Sequence, residues 1–146
     1  MPETGFETWQ GAGSPTNPWV ITNLPFTHSA DTSKSPHKNI KKFACSYQYE
    51  NGPEYYYKIE VPTRTKIRTF VASGSGVDVD LHLTNSVSDS SCIKRNDIGF
   101  EATLEPNTTY YFIVDTYTKN ETASGSPGKY LFGIHACDAD DTHCGE

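Results

Sequence analysis

The stretch that decides the fold is Gly-Ser-Gly-Val-Asp-Val-Asp-Leu-His-Leu, residues 74–83. Its apolar and ionisable side chains alternate, and successive side chains of a strand point to opposite faces, so the stretch predicts a strand with one apolar and one ionisable face. The ionisable face carries Asp78, Asp80 and His82. Side chains on the same face lie about 6.5–7 Å apart, so the two carboxylates are close enough to share a cation or to repel each other. We expect this face to point outward.

The same two-residue period recurs along the chain, with turn signals between the periodic segments. It predicts strands over residues 19–24, 40–49, 54–61, 66–73, 77–83, 93–96, 100–104, 109–117 and 129–137. Residues 27–39 are predicted as a polar loop, and residues 109–117 as a central strand because both of their faces are apolar. We therefore predict an all-β fold, an antiparallel β-sandwich of jelly-roll-like form with eight or nine strands in a single domain.

Composition divides the chain into three parts. Residues 1–18 are rich in Gly, Ser, Thr, Pro and Asn, which predicts an extended lead or linker. Residues 19–137 carry the predicted sandwich domain, and residues 138–146 form an acidic tail. At 146 residues the chain fits one domain, and its nine Tyr, seven Phe and two Trp supply large side chains for a core.

The overall charge excludes several classes of partner. The formal net charge is −6, whereas nucleic acids and anionic membrane surfaces are usually bound by positive fields. The apolar runs are too short to span a bilayer, so we expect neither a nucleic-acid partner nor membrane insertion. We also expect a monomer.

The cysteines indicate an oxidising compartment. Cys45, Cys92, Cys137 and Cys144 form an even set without a C-x-x-C pair or zinc-finger spacing, so disulfides are predicted and the protein is expected to be secreted. Four cysteines permit three pairings, and the spacing does not choose among them.

Catalytic motifs are absent from the sequence. It contains neither H-E-x-x-H nor G-x-S-x-G, and its histidines are scattered along the chain. We therefore predict that the chain is not an enzyme.

A calcium site is the predicted metal centre. Calcium takes six to eight oxygen ligands, which carboxylates, turn carbonyls and water can supply. The predicted ligands are Asp78, Asp80, Asp97 and Asp115. The alternative is that the first two face solvent or pair with Arg64, Arg68 or Arg95. A second candidate set lies in the tail, where acidic residues are usually only solvated. It consists of Asp138, Asp140, Asp141 and His143.

Tyrosines are the candidate ligand-binding residues. The strands carry more of them than one core needs, and exposed rings suit sugar rings or peptide chains. By the alternation, Tyr56 and Tyr111 lie opposite the core-facing set, so we predict that both are exposed and form a binding platform. The alternative is that these tyrosines are cross-strand pairs that support the sheet.

Four motifs in order carry a family resemblance. They are Gly-Pro-Glu-Tyr-Tyr-Tyr at 52–57, Val-Asp-Val-Asp-Leu-His-Leu at 77–83, Leu-Glu-Pro-Asn-Thr-Thr-Tyr-Tyr-Phe-Ile-Val-Asp at 104–115 and Gly-Lys-Tyr-Leu at 128–131. Together they resemble the bacterial pre-peptidase C-terminal domain, a family related to the collagen-binding β-sandwich domains of secreted hydrolases. The resemblance covers residues 40–136, and it departs from the family at Thr108, where a glycine is common.

The resemblance implies a function and a disulfide pattern. It implies a secreted, non-catalytic accessory domain, associated with a hydrolase, that binds a polymer such as a protein matrix or a cell-wall glycan. It also implies that Cys45 pairs with Cys92 and Cys137 with Cys144, which closes the tail. The alternative function is a small stand-alone secreted enzyme or an inhibitor of a secreted hydrolase, in which case the partner is that hydrolase.

Overall fold

The fold is a sandwich of two β-sheets, seen in a computed structural model that describes residues 11–46, 48–120, 122–123 and 125–137. The described residues form nine strands. They are β1 (Trp19–Ile21), β2 (Phe26–Asp31), β3 (Glu54–Ile59), β4 (Thr65–Ser73), β5 (Val79–Thr84), β6 (Cys92–Asn96), β7 (Glu101–Leu104), β8 (Tyr110–Thr116) and β9 (Lys129–Ala136).

Sheet A has five strands in the order β1-β3-β8-β5-β6, and sheet B has four in the order β2-β9-β4-β7. All pairings are antiparallel except that of β1 with β3, which is parallel. The predicted central strand is confirmed, because β8 lies in the middle of sheet A. The predicted sandwich and its number of strands are also confirmed.

The core lies between the two sheets, and the two-residue period decides which side chains fill it. Sheet A contributes alternate residues of β5 and β8, and sheet B those of β4 and β9. The buried members are Ile21, Tyr57, Ile59, Val61, Ile67, Val71, Val79, Leu81, Leu83, Leu104, Tyr110, Phe112, Val114, Tyr130, Phe132 and Ile134. The apolar face predicted for residues 77–83 is therefore the one that packs into the core.

Two predicted segments differ from the structure. Residues 27–39 were expected to be a loop, but β2 occupies their first part and pairs with β9, so that Thr27 lies opposite Gly133. Residues 40–49 were expected to be a strand, but among their described residues only Lys42 and Tyr49 take part in β-bridges. The polarity of the first segment and the alternation of the second were misleading, because strand formation needs a partner edge that local sequence does not specify.

The described part of the N-terminal lead contacts the domain. Residues 11–18 form bends, and the carbonyl of Gly13 accepts a hydrogen bond from the amide of Tyr56 at 2.9 Å. Residues 1–10 and 138–146 lie outside the described residues. Within the described part of the chain, no helix has the length and apolar character needed to cross a membrane.

Candidate functional site

The ionisable face of β5 is covered, contrary to the expectation that it points outward. Residues 35–46 and 48–50, which we call the strap, run across the outer face of sheet A. The side chains of Asp80 and His82 on that face are buried, as is every other residue of β5. The strap therefore closes a second buried layer on sheet A.

Apolar contacts hold the middle of the strap against the sheet. Ile40 and Phe43 of the strap form a small buried cluster with Tyr56 of β3 and Ile113 of β8. The Phe43 ring stacks on the imidazole of His82, with the ring centroids 3.6 Å apart and the planes inclined by 11°. This cluster is separate from the main core and lies on the opposite face of sheet A.

Glu54 anchors the start of the strap. Its carboxylate accepts hydrogen bonds from the amides of Asn39 at 3.1 Å and Ile40 at 3.2 Å, and from the hydroxyl of Tyr56. Its own amide donates to the carbonyl of His37 at 2.9 Å. The buried carboxylate of Glu54 thus accepts hydrogen bonds from several polar groups at the start of the strap, beside β3.

Beneath the end of the strap lies a buried polar cluster. Arg95 of β6 forms an ion pair with Asp80 at 2.5 Å and donates a hydrogen bond to the Gln48 side chain at 2.5 Å. One carboxylate oxygen of Glu50 lies 3.7 Å from His82 Nε2 and 3.7 Å from a guanidinium nitrogen of Arg95. The imidazole Nδ1 of His82 is 3.2 Å from the carbonyl oxygen of Ile113, with which Nδ1–H can pair as donor. Among the residues of this cluster, Arg95 is the one cation, and its guanidinium lies close to the carboxyl groups of both Asp80 and Glu50.

Burial shifts the ionisation of the cluster toward neutral forms. Desolvation, followed by the neighbouring Asp80, raises the pKa of Glu50 to about 11. Desolvation lowers the pKa of His82 to about 3. The pKa of Asp115 is raised well above its usual value by burial and then by the carboxylates of Glu54 and Glu50. At neutral pH His82 is therefore uncharged and Glu50 holds a proton, and burial displaces the pKa of Asp115 in the same direction as that of Glu50.

The structure does not assemble the four predicted calcium ligands into one site. Asp78 and Asp97 are exposed, whereas Asp80 is buried against Arg95 and Asp115 is buried under the strap. Among the described residues, no group of three or more His, Cys, Asp and Glu side chains is placed to hold a metal ion. The alternative pairing of Asp80 with an arginine is the one observed. The candidate tail set falls outside the described residues.

The predicted exposure of Tyr56 is wrong. Its side chain is 0% exposed, because the strap covers it and its hydroxyl bonds to Glu54. Tyr111 is half-buried and lies on the same face of sheet A, opposite Lys58 of β3. The two rings share a face as predicted, but they do not form an open platform.

The predicted disulfide between Cys45 and Cys92 is confirmed, with Cα atoms 5.3 Å apart. It joins the exposed middle of the strap to the first residue of β6. Cys137 is also disulfide-bonded, and its predicted partner Cys144 lies outside the described residues. The strap is thus attached covalently to the edge of sheet A.

An apolar strip crosses the outer face of sheet B. Among the described residues, three of the five exposed large apolar side chains lie there: Phe70 at 39%, Leu131 at 38% and Ile98 at 69% exposure. Phe70 lies opposite Gly133 in the pairing of β4 with β9. An ideal Cβ built on Gly133 would lie 2.0 Å from Phe70 Cε1, so the missing side chain lets the ring lie flat on the sheet.

Phe70 and Leu131 are diagonal neighbours in the pairing of β4 with β9, and the strip borders two grooves. Ile98 follows β6, and its carbonyl accepts a hydrogen bond from Val71 at 2.6 Å, which places it beside Phe70 in one groove. Leu131 lines the other, an open groove of about 680 Å³ between β2, β4 and β9. Sequence reasoning missed this strip. The sequence feature that could have predicted it is the alternation in β4, which places Phe70 on the face of the strand opposite to that of the buried Val71.

Two sheets around one core define the protein as a β-sandwich, one outer face of which is sealed by a disulfide-anchored strap. No family model and no curated protein matches the sequence. The comparison with solved structures therefore carries the assignment of fold.

The pre-peptidase C-terminal domain of a collagenase from Bacillus anthracis matches with a TM-score of 0.50 and 15% identity, over 79% of this chain and 91% of that chain. PliG of Aeromonas hydrophila, a periplasmic inhibitor of g-type lysozyme, matches with a TM-score of 0.50 and 8% identity, over 80% of this chain and 93% of that chain. At these identities the likeness shows the fold alone. The fold implied by the four sequence motifs is confirmed.

Proposed function

We propose that this chain is a non-catalytic binding domain that works outside the cytoplasm and holds a protein partner on the outer face of sheet B. The observation that carries the proposal is the strip of exposed apolar side chains in which Phe70 has Ile98 beside it in one groove and Leu131 as its diagonal neighbour on β9. A contiguous apolar patch on a folded domain is typical of an interaction site.

The chemistry of the strip favours a protein over a glycan. Leu131 and Ile98 are aliphatic, and Phe70, the aromatic member of the strip, carries no hydrogen-bonding group by which a sugar hydroxyl could be held. Of the two tyrosines that were expected to supply such faces, Tyr56 is buried under the strap and Tyr111 is half-buried. Apolar side chains of a partner protein fit the strip better, because their burial removes apolar surface from water on both sides.

The buried cluster supports a non-catalytic role. A general acid or base must reach its substrate, and the side chains of Glu50, His82 and Asp115 are 0% exposed. Two of the similar folds are the pre-peptidase C-terminal domain of a collagenase and an inhibitor of g-type lysozyme. The disulfides favour an oxidising compartment, either extracellular or periplasmic.

The test is retention on insoluble collagen, peptidoglycan and chitin, each with and without EDTA. We expect retention on the protein matrix, and we expect Phe70→Ser with Leu131→Ser to abolish it. The matched control is Val87→Ser with Ile93→Ser, which changes two side chains of similar exposure, 36% and 46%, in the segment from the end of β5 to β6. Retention on a glycan alone, or equal loss in both double variants, would contradict the proposal.

A second candidate is inhibition of a secreted hydrolase, favoured by the fold shared with the Aeromonas lysozyme inhibitor. It uses the same chemistry, since an inhibitor also binds a protein. The assay is lysis of bacterial cell walls by a g-type lysozyme in the presence of the purified chain. Dose-dependent inhibition that the Phe70→Ser and Leu131→Ser double variant loses would identify the inhibitor, and undiminished lysis would exclude it for that enzyme.

A further inference from the structure

The strap has little secondary structure of its own. Its described residues form only the isolated bridge between Lys42 and Tyr49, while a second bridge ties Tyr49 to Thr118. The amide of Glu50 donates to the carbonyl of Lys41 at 2.7 Å, which closes the strap into a loop. A segment with so few ladder hydrogen bonds depends on its attachments to the sheet to stay in place.

The closed strap buries polar atoms that have no hydrogen-bond partner among the described residues. They include Nε2 of His82 and Nε of Arg95. Buried polar atoms without partners oppose folding, because in water each would be hydrogen-bonded. Opening the strap would return these groups to water, so their burial lowers the stability of the closed state relative to an open one.

The disulfide is the covalent attachment that opposes this opening. It joins Cys45, in the middle of the strap, to Cys92 at the start of β6. Cys45 is exposed, so a thiol reagent can reach the bond from solvent. On either side of Cys45, the strap is held by the stacking of Phe43 on His82 and by the contact of Gln48 with Arg95.

We propose that the strap is a redox-controlled lid, which the Cys45–Cys92 disulfide holds closed over the outer face of sheet A and which a dithiol reductant releases. A dithiol donates two electrons and two protons, the bond between the two sulfur atoms breaks to give two thiols, and the dithiol becomes a disulfide. Release exposes Tyr56 and Ile113 together with the buried acids, which converts a sealed face into a second apolar surface with acidic neighbours.

Hydrogen exchange of backbone amides tests the lid. The reporters in the strap are the amides of Ile40 and Glu50, and those in sheet B are the amides of Thr69 and Val71, all of which are hydrogen-bonded in the closed form. After addition of dithiothreitol to the folded protein, we expect exchange of the strap amides to accelerate by at least about tenfold while that of the sheet B amides stays unchanged. Unchanged strap exchange would overturn the proposal, and so would equal acceleration in both sheets.

Two variants assign the effect to one bond. Cys45→Ser with Cys92→Ser should exchange like the reduced protein without any reductant, whereas Cys137→Ser, which leaves the strap bond intact, should exchange like the oxidised protein. Slow strap exchange in the double variant, or fast strap exchange in Cys137→Ser, would contradict the proposal. If the double variant does not fold, reduction of the folded Cys137→Ser protein provides the same comparison.

Discussion

Replacement of Glu50 by Gln should make the protein resist alkaline pH. Glu50 is 0% exposed beside Asp80, and its pKa in the folded state is raised to about 11. In the unfolded chain a glutamate ionises with a pKa near 4.3. Between these two values the folded state holds a proton that the unfolded state has released. Stability that depends on this proton is therefore lost as pH rises.

The size of the effect follows from proton linkage. A difference of one bound proton changes the free energy of unfolding by about 1.4 kcal/mol for each pH unit, so between pH 7 and pH 9 the wild type should lose about 2.7 kcal/mol through Glu50. Glu50→Gln keeps the size of the side chain and removes this proton. The carboxylate of Glu50 is also one cause of the raised pKa of Asp115, so the difference between the two proteins measures Glu50 together with its effect on Asp115.

The assay is urea unfolding followed by tryptophan fluorescence at pH 7, 8 and 9. We expect the stability of Glu50→Gln relative to the wild type to grow by about 2.7 kcal/mol over this range. Glu105→Gln, which changes an exposed carboxylate, is the control and should keep the wild-type slope. Parallel slopes for the wild type and Glu50→Gln would show that Glu50 is ionised in the folded state and would refute the reasoning.

Three further outcomes are expected. Tyr56→Ala should lower the free energy of unfolding, measured in urea, by about 3–5 kcal/mol, as the truncation of other large buried side chains does. The half-buried Tyr111 should lose less in Tyr111→Ala, and equal losses would contradict the burial of Tyr56. Removing the Cys45–Cys92 bond, which spans 47 residues, should cost about 4 kcal/mol by the loop-entropy relation, and a chemical denaturation midpoint equal to that of the wild type would disprove it. Calcium binding stays a prediction. It would be supported by a melting temperature that is higher in calcium than in EDTA and that rises less in Asp78→Asn than in the wild type. Identical melting curves in calcium and in EDTA would exclude it.

The sequence alone determined the strands that fill the core. In β5 the alternation placed the core-facing residues correctly, because the period of two is a property of the local backbone. It also gave the all-β class and, through the four motifs, the fold that the comparisons confirm. These features need only local information, since each residue's face follows from that of its neighbour.

The tertiary structure alone decided what covers each face. Tyr56 and Asp80 stand on the face of sheet A that alternation assigns to the outside, yet both are buried because the strap folds over them. Phe70 stands on the corresponding face of sheet B and is exposed. A polar or aromatic face carries the same period whether water or another segment lies above it. Its environment therefore depends on contacts between residues far apart in the chain, which the local pattern does not encode.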